Sequence, residues 1–182
     1  MDVKYYLYHF AHLHTAKMKG KPAPHKAVLL LAVMSLVERE SISSPEIELT
    51  DELVDEFKKI WSEKLPATCP FSCDISKPYF HMQQEPFWRL IEHDDNYWMV
   101  AEELGLYAEE KKTMAKGYII PAMREKFRCA KIDGELYNII RCADNRKELE
   151  NLLISKYLTY EPPLDKRHGI AAMVGTALLM VA

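Results

Sequence analysis

Glycine is scarce in this sequence, at six of 182 residues, and that scarcity excludes more than any motif includes. A glycine-lined phosphate or dinucleotide loop has little material to draw on, and neither GxGxxG nor a P-loop occurs. There is likewise no GxSxG and no HExxH. Cysteine is sparse too: Cys69, Cys73, Cys129 and Cys142 are too few for a disulfide scaffold and contain no CxxC pair. Cys69 and Cys73 are spaced C-x3-C, but the other two stand further apart than a four-thiolate zinc site usually permits. The reading is reduced thiols, with Cys129 and Cys142 as small apolar fillers.

Charge of one sign is also missing. The net formal charge of −3 announces no nucleic-acid partner globally, so such a partner must be met by a local patch. No apolar run is long enough to span a bilayer, and the start MDVKYYLYHFAHLH has no secretory h-region. With 48% apolar and 28% charged residues, the chain reads as an ordinary globular protein, expected in the cytoplasm. Its length suits one domain with a short appendage.

Helical spacing of Tyr5, Tyr6, Phe10 and Leu13 predicts a helix over 3–16. The stretch from Thr15 to Pro24, with Gly20 and two prolines, predicts a loop. Ala27 to Val37 is apolar almost throughout and predicts a buried central helix. Ile47 to Leu49 alternates like a short strand, and Thr50 caps a helix running to Lys64. Pro66 to Pro78 predicts a loop. Phe87–Ile91 and Tyr97–Val100, flanking His93 to Asn96, form the clearest hairpin signal. A short helix is expected within 102–116 and an extended piece at Gly117–Pro121. Helices are expected at Ile132–Ile140 and Asn145–Tyr157. Pro162 and Pro163 close a domain over 1–160, and an apolar tail fills 161–182. The expected class is α+β, mainly α: a winged-helix-like helical domain with a small β-hairpin.

Within the first 31 residues there is one acid, Asp2, against Lys4, Lys17, Lys19, Lys21 and Lys26. Nine acids then fall between Glu38 and Glu63. The segment from Lys17 to Lys26 is therefore an unbroken basic stretch leading into a helix N-terminus, where free N–H groups and the dipole suit a phosphate. His9, His12 and His14 follow an H-x2-H-x-H spacing, but His14 lies well round the helix from His12, so no metal site is expected. His168 stands alone. No nucleophile–base pair can be assembled, so no catalytic residue, metal or cofactor is assigned.

Four stretches carry a resemblance. Pro24 to Ala32 (PHKAVLLLA) and Pro78 to Leu90 (PYFHMQQEPFWRL) are followed by Ala130 to Leu136 (AKIDGEL) and Leu149 to Leu158 (LENLLISKYL). In this order they resemble the sulfur-binding domain that precedes the nuclease domain in McrA-type, phosphorothioate-dependent HNH restriction endonucleases. The resemblance covers most of residues 1–160. It implies recognition of duplex DNA in which sulfur replaces a non-bridging phosphate oxygen, in a restriction or defence context. The resemblance makes His25 and Lys26 DNA contacts, and the basic stretch adds Lys17, Lys19 and Lys21 to them. Pro78, Tyr79 and His81 would form an apolar cup for the sulfur, which is larger and more weakly hydrated than oxygen. Lys77 and His81 stand where the family has an aromatic and a small residue. Both polarise the cup, so plain DNA binding is expected to survive better than sulfur selectivity. No HNH motif follows Tyr157, which implies a lone reader, a fragment of a longer endonuclease, or a relative without the nuclease half. The rival reading is a protein-interaction module, with the uncharged tail Gly169–Ala182 suited to a homo-oligomeric contact or a nuclease partner.

Overall fold

The computed structural model describes residues 2–18, 20–93 and 119–159. The fold is mixed α+β and mainly helical. Its centre is α2 (His25–Glu38), whose residues from Lys26 to Met34 are all buried, with Leu36 and Val37 beyond them. Such a helix must be covered on every side. α3 (Asp51–Lys64), α4 (Ser76–His81), α6 (Gly134–Arg141) and α7 (Ala143–Tyr157) all pack against it. Each fully buried Val or Leu, such as Val28, Leu29 or Leu36, contributes roughly 1.5–3 kcal/mol through removal of apolar surface from water.

α3 forms as the sequence predicts. Thr50 Oγ1 accepts from the Leu53 amide at 3.2 Å, Asp51 and Glu52 occupy the first turn, and Leu53, Val54, Phe57 and Ile60 face the core. α1 (Val3–Ala11) ends five residues short of its expected limit. The next amides have better partners: Leu13 N donates to the Tyr157 hydroxyl at 3.0 Å and His14 N to a Glu85 carboxylate oxygen at 2.9 Å. Tertiary acceptors have replaced helical ones.

The expected loop at 15–24 contains a small antiparallel ribbon, β1 (Lys17–Met18) with β2 (Lys21–Pro22). Gly20 lies between them at φ +78°, a left-handed conformation that suits glycine at this turn. The expected loop at 66–78 ends earlier than thought, because α4 starts at Ser76. Asp74 Oδ1 accepts from the Ser76 amide at 3.0 Å, and Pro78 sits in the first turn, where its missing N–H is no loss.

A three-stranded antiparallel sheet has the order β3 (Glu46–Ile47), β5 (Phe127–Ile132), β4 (Trp88–Glu92). β3 lies one residue earlier than the expected strand at Ile47–Leu49. β4 is the expected first strand of the hairpin, but its partner among the described residues is β5, with Trp88 opposite Ile132 and Leu90 opposite Ala130. A short helix, α5 (Ile120–Lys126), leads into β5. Residue Ile132 closes β5 rather than opening a helix, and α6 begins only after Asp133, whose carbonyl accepts from Tyr137 N at 2.9 Å. The expected strand at 97–100, the helix within 102–116 and the tail 161–182 lie outside the described residues. Cys129 is buried in β5 as a filler, whereas Cys142 is exposed between α6 and α7 and fills nothing.

Candidate nucleic-acid interface

A cleft of about 550 Å³ opens where four separate stretches meet. The ribbon side supplies Met18 and Ala23, and the first turn of α2 supplies His25 and Lys26. The connection after α3 supplies Phe71, Ser72 and Asp74, and α4 supplies Lys77, Pro78 and His81. The first basic segment and the proline segment, more than fifty residues apart in sequence, therefore face one space.

His25 is held on three sides. Its ring lies 4.8 Å from that of Trp61 and meets Phe71 edge-on at 5.6 Å, and Nε2–H donates to the Ser72 carbonyl at 2.7 Å. Burial pulls its pKa below the ordinary imidazole value, and the Lys77 charge acts in the same direction. The Ser72 hydrogen bond and Asp74 oppose them. A neutral ring whose only N–H is spent on Ser72 has no proton left for a phosphate. In that state His25 latches the 70–74 segment to α2.

Lys26 is 5% exposed, and its Nζ lies 2.6 Å from Glu85 Oε1. The Glu85 carboxylate, itself 3% exposed, also accepts from the backbone N of His14 and stands 3.2 Å from its Nδ1. One buried carboxylate thus ties the segment after α1 and the start of α2 to the turn before β4. Lys26, which the sequence assigns to DNA, thus has its charge matched inside the protein while bordering the cleft. A lysine opening an otherwise apolar helix calls for a buried acid, and that signal in the sequence points to a partner such as Glu85.

The proline segment divides. Pro78 and His81 line the cleft, but Tyr79 points the other way, 1% exposed, with its hydroxyl donating to the Ile47 carbonyl at 2.7 Å. Tyr79 braces α4 against β3 and does not line the cleft. Helical spacing explains the split: Lys77 and Pro78 lie four and three residues before His81 and share its face, whereas Tyr79 falls on the opposite side of α4. His81 has its pKa lowered by burial first and then by the charges of Lys26 and Lys77. On the ribbon, Lys17 is exposed, Lys21 is half-buried, and Lys19 lies outside the described residues. Met18 is 43% exposed for so apolar a side chain and forms part of the wall.

Among the described residues no group of three or more His, Cys, Asp or Glu side chains is arranged to hold a metal ion. No protein-family model matches this chain, and no curated protein matches it in sequence. A functional reading therefore rests on the residues and their geometry.

Proposed function

We propose that this chain is a DNA-binding module without catalysis of its own, reading duplex DNA, and phosphorothioate duplex in particular, in a restriction or defence setting. The observation that carries this reading is the convergence at the cleft. The lysine-bearing ribbon, the start of α2, and Pro78 with His81 on α4 all border one opening.

The chemistry suits a sulfur-substituted phosphate. Met18, Ala23, Phe71 and Pro78 give the cleft apolar walls, and these penalise a well-hydrated oxygen more than a weakly hydrated sulfur. Lys17 and Lys21 on the ribbon supply charge for the flanking backbone, the component that dominates affinity for any duplex. His25 and His81, two of the three histidines lining the cleft, are shifted toward their neutral forms, which limits the positive charge of the walls at neutral pH.

A winged-helix docking mode supports the same reading. Among the described residues from α2 to β5 the order is helix, strand, helix, helix, strand, helix and strand, with β5 central in the sheet, so that α5 comes between the two strands a winged helix would place in succession. In that arrangement α4 stands in the place of the helix that enters the DNA groove, and it carries Lys77, Pro78 and His81. Among the described residues no helix is long and apolar enough to cross a membrane.

A gel-shift comparison of matched duplexes, one with a single phosphorothioate and one with ordinary phosphates, tests the proposal. The expected result is binding to both, with the sulfur duplex bound more tightly. Retention of neither duplex would end the reading, and equal retention would reduce it to general DNA binding.

A further inference from the structure

We propose that Lys77 is the side chain that holds the ligand's phosphate in this cleft, in place of Lys26, the residue to which the sequence pattern gives that contact. This rests on the reading of the cleft as a DNA site.

The argument is one of elimination within a single space. The charged and titratable groups lining the cleft are His14, His25, Lys26, Asp74, Lys77 and His81. Lys26 is buried and matched by Glu85, and His14 is engaged by the same carboxylate. Asp74 is committed to the amide and hydroxyl of Ser76 at the start of α4. His25 is latched to Ser72. Lys77 differs from all of these: it is exposed and forms no ion pair with any carboxylate among the described residues.

Its position is central. Lys77 lines the same cleft as His25, on α2, and His81, on α4, and its charge adds to the burial that lowers the pKa of both rings. His25 is faced by Asp74 and the Ser72 carbonyl besides Lys77, and His81 by Lys26 besides Lys77. A phosphate anion seated on Lys77 would cancel the positive charge that both rings feel. Each ring would then bind a proton more readily, adding donors around the anion. Burial still holds both rings below the ordinary imidazole value, so affinity for the anion should rise only as pH falls below about 6.5. A lysine in the place of the family's aromatic therefore exchanges apolar contact for a direct ion contact.

Fluorescence anisotropy with a labelled duplex, over a salt series, tests the assignment on Lys77→Gln, Lys77→Arg and Lys17→Gln. Because Lys77 is exposed, its substitution leaves the core intact. Lys77→Gln should bind about tenfold more weakly and show a salt slope shallower by about one, uniformly across sequences, while Lys77→Arg stays within about threefold of wild type. Unchanged affinity and slope in Lys77→Gln, with duplex binding intact in wild type and weakened in Lys17→Gln, would overturn the assignment and leave the DNA reading standing. A second arm replaces the duplex with inorganic phosphate and follows the imidazole Cε1–H resonances. Shifts of the His25 and His81 midpoints in wild type that vanish in Lys77→Gln would support Lys77 as an anion-holding residue. If this happened without any duplex binding, the ligand would be a free phosphate compound rather than DNA. Histidine midpoints that move neither with phosphate nor with Lys77→Gln would overturn the assignment.

Discussion

The ammonium of Lys26 and the carboxylate of Glu85, fifty-nine positions apart, meet at 2.6 Å with both side chains almost sealed from water. The pair sits directly behind the cleft and fixes the first turn of α2 against the turn after α4. Removing one member leaves the other charged and buried. Lys26→Met or Glu85→Leu alone should each cost about 3–5 kcal/mol, whereas the double variant should cost clearly less than the sum. Urea unfolding of the four proteins measures this. Additive losses would show that the two charges do not depend on each other.

The cleft histidines make stability pH-dependent. Both His25 and His81 have folded-state pKa values below the ordinary imidazole value, so the unfolded chain takes up protons first as pH falls. Stability contributed by the neutral rings is present above about pH 6.5 and is lost as pH falls below that value, down to the depressed folded-state midpoints. Thermal unfolding between pH 7.5 and 5 should show this decline. His25→Asn combined with His81→Asn should flatten it, and an equally steep decline in the double variant would place the titrating groups elsewhere.

On the proposed reading, His81 would govern discrimination between sulfur and oxygen. A neutral ring at the edge of the cup tolerates a weakly hydrated sulfur, whereas a protonated ring attracts both kinds of phosphate alike. Because its pKa is lowered by burial and by two lysines, selectivity should persist at pH 6.5 and fade only as the ring protonates below that. Competition binding with matched duplexes at pH 7.5, 6.5 and 5.5 follows it. His81→Ala should raise discrimination and remove its pH dependence. Discrimination that is the same in wild type and variant at every pH would exclude this role.

At Gly20 an added Cβ meets nothing within 4 Å, so the cost of Gly20→Ala is the left-handed backbone alone. That cost is about 1–2 kcal/mol, and it falls on a two-pair ribbon at the surface rather than on the core. The variant should keep its global melting temperature nearly unchanged and lose duplex affinity, because Lys17 and Met18 would no longer be held in place. A large fall in melting temperature would mean that the ribbon is part of the cooperative fold.

The elements with strong local signals were legible in the sequence. The apolar run from Ala27 to Val37 could only be a buried helix, and Thr50 with Asp51 and Glu52 marks the start of α3 without reference to anything else. β5 escaped notice because Arg128 and Lys131 interrupt its apolar positions, and its partner strand lies more than thirty residues upstream. α4 was hidden by proline, which reads as a breaker unless its place in the first turn is known. For the site, the resemblance singled out His25, Pro78 and His81, and their meeting at one cleft is set by the fold. The inward turn of Tyr79 and the burial of Lys26 were not legible, because both depend on which long-range partner, Ile47 or Glu85, is waiting. Lys77 was visible as a departure from a pattern but not as the exposed charge of a cleft.

The most direct test of the account is the salt dependence of duplex affinity, measured by anisotropy for wild type and for Lys17→Gln/Lys21→Gln. If the ribbon and the cleft together neutralise about four phosphates, log Kd against log salt should give a slope of roughly 3–4 in magnitude, falling by about two in the double variant. No measurable duplex binding at low salt, or an affinity indifferent to both salt and the two substitutions, would contradict the claim that this cleft reads DNA.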